Sequence, residues 1–241
     1  MVVDKLFYLT RKIYSNFFLN NHPDLKKIIK STNKSISTGT ETTDYIYLYN
    51  YIKKFKPQRV LECGTGKSTF IIAHAMKKYC KKNSKLVSME SVKKYYLGQK
   101  KIFPKDKYPF VKIIYSPLKL YNYSFISGTG YLRIPNHNYD FIFIDGPLGS
   151  YKEKFKYEPG KINIDFLNII LRNKSLSING VIDNRKLTTW GYSLLFGKNI
   201  VNFNKFFNLG IIKKASFKKL RLKKGKYKEA HFKSFVKSKI F

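Results

Sequence analysis

Acidic side chains are what this chain most lacks. Its 241 residues hold 14 Asp and Glu against 48 Lys and Arg, a formal net charge of +34 at pH 7. Lys, Asn, Ile, Tyr and Phe are abundant, as AT-rich coding would give, but Glu also has AT-rich codons, so coding bias alone does not explain the shortage. A chain this basic is drawn to polyanions: nucleic acid, anionic lipid or an acidic glycan. Cysteine is scarce too. Cys63 and Cys80 exclude a disulfide framework and a zinc-ligand spacing, and that usage suits a reducing compartment. No apolar run approaches the roughly 18 residues of a membrane span. The N-terminus has polar interruptions where a secretory signal needs an apolar core. The expectation is a cytoplasmic chain, at most peripheral to a membrane surface. Repeats and internal domain boundaries are also missing. The whole 1–241 reads as one domain, with 1–44 as a helical, lid-like extension and 213–241 as a basic C-terminal segment.

What the chain does have is core material. Hydrophobic residues make up 43% and aromatics 17%, enough for a good-sized α/β domain and too much for wholesale disorder. The most informative stretch is Arg59 to Phe70, RVLECGTGKSTF. A short apolar strand runs into Gly64-Thr65-Gly66, and a helix follows from about Lys67. A glycine turn between a buried strand and a helix N-terminus is a cradle for a nucleotide-like ligand, because backbone and unpaired N–H groups can approach it. Gly66-Lys67-Ser68 matches the tail of a phosphate-binding loop, but the required first glycine is replaced by Leu61. Phe141 to Asp145 mimics the magnesium-holding strand of the same enzymes. An ATP- or GTP-binding enzyme is therefore one reading.

Along the chain, residues 1 to 31 read as basic helices broken at Pro23, with Leu6, Phe7, Leu9, Ile13, Tyr14, Phe17 and Phe18 near helical spacing. They suit a flank helix, a lid or a membrane-surface helix. Residues 31 to 43 read as loop. Thr40 to Asp44 supply caps for a helix from about Tyr45 to Lys54. His74 reads as a packing or surface residue of the helix after the glycine turn. Lys85 to Glu90 reads as a second strand, closing on an acid 24 residues beyond Gly66. A carboxylate at that distance accepts two hydrogen bonds from a ribose diol. Val111 to Tyr115 reads as a third strand. Residues 119 to 138 read as a hairpin or extended excursion with a Gly-Thr-Gly turn at 128–130. Phe141 to Ile144 is the continuous apolar run of a central parallel strand, and Asp145 falls at its carboxyl end. Residues 148 to 163 read as a substrate-facing insert, 164 to 172 as helix and 177 to 184 as a strand ending in Asp183-Asn184. Trp190 to Phe196 reads as helix and Ile200 to Phe217 as one or two edge strands. The Lys-dense, aromatic-interleaved 213–234 reads as strand in preference to a single-stranded nucleic-acid surface.

Glu62-x-Gly64-Thr65-Gly66-x-Ser68-Thr69 resembles the first motif of class I S-adenosylmethionine (SAM)-dependent methyltransferases. Asp140 to Pro147 resembles their D-x-I-x-I-D-G-P strand, and Gly180-Val-Ile-Asp-Asn184 the strand of their metal-dependent, catechol-type O-methyltransferases. The resemblance implies a Rossmann-like α/β fold, a mainly parallel seven-stranded sheet with helices on both faces and an antiparallel strand near the C-terminus. It implies that Glu62, Gly64, Thr65, Gly66, Ser68, Glu90, Ser116 and Asp145 hold SAM, with Leu118 near the adenine. It implies a divalent cation such as Mg2+ on Asp145, Asp183 and Asn184, all hard oxygen donors. Without a metal, Asp145 or His137 would serve as base. The implied activity is methylation of a sugar, glycan or other small-molecule hydroxyl. An RNA-ribose methyltransferase would also explain the charge, but Asp183 stands where such enzymes usually carry a catalytic lysine.

Overall fold

The apolar run Phe141–Ile144 lies at the centre of a sheet, covered on both sides. The computed structural model describes residues 2–32, 41–123, 126–146 and 162–221. In chain order these form α1 (Val2–Asn20), α2 (Pro23–Ser31), α3 (Thr42–Phe55), β1 (Arg59–Cys63), α4 (Lys67–Tyr79), β2 (Lys85–Glu90), α5 (Lys93–Ile102), β3 (Val111–Tyr115), β4 (Leu118–Tyr123), β5 (Ile126–Tyr131), β6 (Phe141–Ile144), α6 (Asp165–Arg172), β7 (Ser177–Asp183), α7 (Lys186–Phe196), β8 (Val201–Asn204) and β9 (Leu209–Ser216). Seven strands make one sheet in the order β3-β2-β1-β6-β7-β9-β8, and β4 pairs with β5 apart from it. Neighbours are parallel except β9, which is antiparallel to both β7 and β8.

Side-chain alternation assigns the two cores. Val60, Phe141 and Phe143 face α3 and α4, with α2 and part of α1 outside them. Leu61, Cys63, Ile142 and Ile144 face α6, α7 and the β4–β5 hairpin. A strand buried on both faces has no use for polar positions, so the run is unbroken. Asp140 caps the entry to the strand pair: its carboxylate accepts the N–H groups of Gln58 and Arg59 at 2.7 and 3.0 Å. His74 behaves as a packing residue. With Lys78 it holds Asp24, at 3.1 and 2.6 Å, and so ties α2 to α4. Cys63 and Cys80 are free thiols.

Three expectations are corrected. Ile200 to Phe217 is not all edge: β9 inserts between β7 and β8, so Leu209, Ile211, Ile212 and Ala215 are buried and only β8 is outermost. Gly128 and Gly130 do not make a turn; they lie within β5. A Cβ on Gly128 would meet the Ile162 carbonyl at 2.2 Å, and one on Gly130 would meet Asp165 Oδ1 at 2.7 Å. These glycines let β5 press against Ile162–Asp165, where Thr129 bridges Asn163. The hairpin thus fills the crossover from β3 to β6 that a helix often fills. The strand read over 213–234 ends at Ser216, followed by a 3-10 turn over Phe217–Lys219; its remainder, Pro147, the 148–161 insert and the loop at 33–40 lie outside the described residues.

Candidate active site

The chain runs outward from β1 to β3, then returns to lay β6 on the other side of β1. At such a switch point the connections leave a crevice at the carboxyl ends of the two central strands. Gly64 follows β1 and Gly146 follows β6, and their backbones touch. A Cβ on Gly64 would stand 2.7 Å from Gly146 N, and one on Gly146 would stand 2.9 Å from Gly64 Cα. Gly64 also has φ +102°, a left-handed value that favours glycine. The Asp-Gly of the second motif therefore has a structural cause: only glycine lets the two strand ends close. Cys63 O accepts the N–H groups of Asp145 and Gly146 at 2.9 and 2.5 Å, and Met89 O accepts that of Gly64 at 2.9 Å. Gly66 is different. Its φ of 171° is extended backbone open to any residue, and it sits at the N-cap of α4. Its N–H donates to Thr69 Oγ1 at 3.1 Å, and its carbonyl accepts Gln99 Nε2 at 2.9 Å.

Glu62 points from β1 toward α4 and is fully buried. Its Oε2 accepts the hydroxyls of Ser88 at 2.6 Å and Thr69 at 2.7 Å. Oε1 has no such partner, although the Ser68 hydroxyl lies close to both Glu62 and Asp145. Burial pushes the Glu62 carboxyl up from 4.5 to about 8, against the pull of the three hydroxyls. Glu62 thus braces the glycine turn as a protonated acid at neutral pH. Its raised pKa contributes stability that is fully present below about pH 4.5 and is lost as pH rises toward 8. Glu62→Gln copies the protonated form. The Tm advantage of this variant over the native protein is expected to grow from pH 5 to pH 8, which thermal melts across that window would measure; a constant difference would show that Glu62 stays ionised.

Glu90 closes β2 beside the turn. Its Oε1 accepts the N–H groups of Ser91 and Val92, each at 2.8 Å, which pins the carboxylate at the start of α5. Oε2 faces Thr65 Oγ1 at 3.3 Å and keeps a lone pair for another donor. Ser116 is fully buried at the end of β3. Its N–H donates to Glu90 O and its Oγ accepts Arg133 N, both at 2.9 Å. Leu118 begins β4 close by. Exposed apolar side chains of Val92, Tyr115 and Leu132 lie along this rim.

On the other side of the crevice Asp145 and Asp183 meet, and Asp44 from the first turn of α3 joins them. Burial raises all three. Asp183 is raised further by Asp145 and Asp44, and Asp44 stands at about 7. The Arg185 guanidinium pulls the other way on Asp145 and Asp183, and Arg185 Nη2 donates to the Asp145 carbonyl. Burial with like charges close by makes the group hold protons that isolated carboxylates would lose. Asn184 follows Asp183 with an exposed side chain and φ 30°. Among the described residues no group of three or more His, Cys, Asp or Glu is arranged to hold a metal ion.

The structure therefore brings Glu62, Gly64, Thr65, Gly66, Ser68, Glu90, Ser116, Asp145 and Asp183 to one sheet edge. His137 it does not. That residue precedes β6 whereas Asp145 follows it, so the strand separates them. Its loop is held at the opposite edge by Arg172 at the end of α6, which donates to Ile134 O at 2.9 Å. Asp44, Arg185 and Gln99 were not legible as site residues. Asp44 reads in sequence only as a cap, a role it does fill by accepting Glu41 N at 2.9 Å.

No protein-family model and no curated protein matches the chain. Solved structures resemble it. The SAH-bound methyltransferase PaMTH1 of Podospora anserina has 16% identity and a TM-score of 0.50, covering 80% of this chain and 88% of its own. A candidate caffeoyl-CoA O-methyltransferase of Staphylococcus aureus has 13% identity and a TM-score of 0.51, covering 84% and 100%. A candidate O-methyltransferase of Klebsiella pneumoniae has 12% identity and a TM-score of 0.50, covering 84% and 97%. At these identities the likeness is one of fold, and the fold is the Rossmann-like class I methyltransferase fold.

Proposed function

We propose that the protein is a SAM-dependent methyltransferase acting on a hydroxyl of a sugar, glycan or other small molecule. The observation that carries this reading is the pairing, across one crevice, of a pinned Glu90 carboxylate beside the Gly64–Gly66 turn with a carboxylate group at Asp145 and Asp183. Glu90 Oε2 suits a ribose diol, Ser116 and the apolar rim suit a flat base, and the start of α4 suits the amino-acid end. The SAH-bound state of PaMTH1 supports the same choice. When bound, SAM supplies an electrophilic methyl: the acceptor oxygen bonds to it, the C–S electron pair stays on sulfur, and the acceptor proton must leave.

This chain's residues then have two tasks. Glu90, the glycine turn and Ser116 orient the cofactor, and much of the rate comes from that orientation. The carboxylates facing them take the acceptor proton; Asp145 lies nearest the turn, and burial raises the proton affinity of both Asp145 and Asp44. Asp145 and Asp183 are also hard-oxygen donors, and a divalent cation held by this pair would lower the acceptor hydroxyl's pKa. The ATP-binding reading fares worse, because a phosphate at the turn would face the Glu90 and Asp145 carboxylates.

Titration calorimetry with S-adenosylhomocysteine and, separately, with magnesium-ATP tests the cofactor; binding of ATP alone would overturn the proposal. Acceptor panels assayed with and without EDTA then test the cation. Asp183→Ala is expected to cut methyl transfer at least about 100-fold while leaving S-adenosylhomocysteine affinity within about twofold, measured by label transfer and calorimetry.

A further inference from the structure

Helix α1 is apolar on two faces. One is spent within the fold: Tyr14 packs edge-on to Phe206 and Phe207 at 5.6 and 5.9 Å, and Phe18 stacks on His22 at 4.0 Å. Arg11 Nη1 pairs with Glu41 Oε2 at 3.1 Å, which fixes the helix against the start of α3. The other face carries Leu6, Leu9, Ile13 and Phe17, which are 62%, 47%, 69% and 70% exposed. Their spacing of three, four and four residues makes a single stripe along the helix. Single exposed apolar residues are ordinary on a protein surface, but a continuous stripe marks something that covers it.

Charge selects the occupant. Residues 1–31 hold six Lys and Arg against two Asp. Of these acids Asp24 is taken by Lys78 and His74, while Lys12, Lys27 and Lys30 are exposed. A second copy would set one chain of net charge +34 against another. The stripe supplies on the order of 500 Å², less than the roughly 800 Å² per partner of a stable dimer. A narrow apolar ridge beside lysines is instead the pattern of a helix lying in a lipid interface, and anionic headgroups attract such lysines.

We propose that α1 seats the protein on an anionic lipid surface, with Leu6, Leu9, Ile13 and Phe17 entering the acyl boundary and Lys12, Lys27 and Lys30 supplying the attraction. Flotation of the full chain with vesicles of phosphatidylcholine, with and without phosphatidylserine, tests this. Binding is expected only with phosphatidylserine. The double variant Ile13→Ser/Phe17→Ser keeps the charge and changes only exposed positions, and it should bind those vesicles at least about tenfold more weakly. Binding unaffected by this variant would mean nonspecific electrostatics and overturn the proposal. No vesicle binding would overturn it as well, and so would a dimer, seen by light scattering, that the double variant dissolves.

Discussion

Gly64→Val is expected to yield a protein of much reduced stability that no longer binds S-adenosylhomocysteine. Two costs combine. The backbone at φ +102° is strained for any side chain and most of all for a β-branched one. The added Cβ would also stand 2.7 Å from Gly146 N and 3.1 Å from its Cα. Neither strand end can retreat, because β1 and β6 are the two central strands and Cys63 O already binds both Asp145 and Gly146. Together these should cost about 3 kcal/mol or more. For a chain of this size that lowers Tm by about 6–12 °C, which calorimetry would measure. Gly66→Ala is the control. Its extended φ carries no such strain, so Tm should hold within about 2 °C even where cofactor affinity falls. Equal destabilisation by the two variants would mean that strand-end contact is not what Gly64 provides.

Glu90→Gln is expected to weaken S-adenosylhomocysteine binding about 100-fold while leaving the fold intact. The glutamine oxygen can still accept the Ser91 and Val92 N–H groups that Oε1 now holds. What is lost is the acceptor at Oε2, beside Thr65, replaced by an amide donor. A ribose hydroxyl that gave a charge-assisted hydrogen bond to Oε2 would then meet an N–H donor, and a loss of about 3 kcal/mol is about two decades in affinity. Lys67→Ala should change affinity by less than about twofold, because the ammonium has no part in holding an adenosine. Calorimetry on both variants distinguishes the readings. Loss of binding in Lys67→Ala with retention in Glu90→Gln would make the turn a phosphate site.

The strand-and-helix order around the site was legible in the amino-acid pattern. Apolar runs ending at glycine or acid marked β1, β2, β6 and β7, because a strand inside a sheet covered on both faces is mainly apolar and its polar residues collect toward its ends. That is also why Glu90, Asp145 and Asp183 were legible as candidates: an open parallel sheet sends all its strand ends to one edge. The tertiary structure alone decided what depends on packing between distant segments. It removed His137, whose loop is anchored at the wrong end of β6 by Arg172. It showed Gly128 and Gly130 to be contact residues for Ile162 and Asp165, a role no local pattern distinguishes from a turn. It joined Asp44 to Asp145 and Asp183 across about 100 and 140 residues of chain. Local sequence specifies a cap or a strand end, but burial beside other carboxylates, and the raised proton affinity that follows, exists only once the chain has folded.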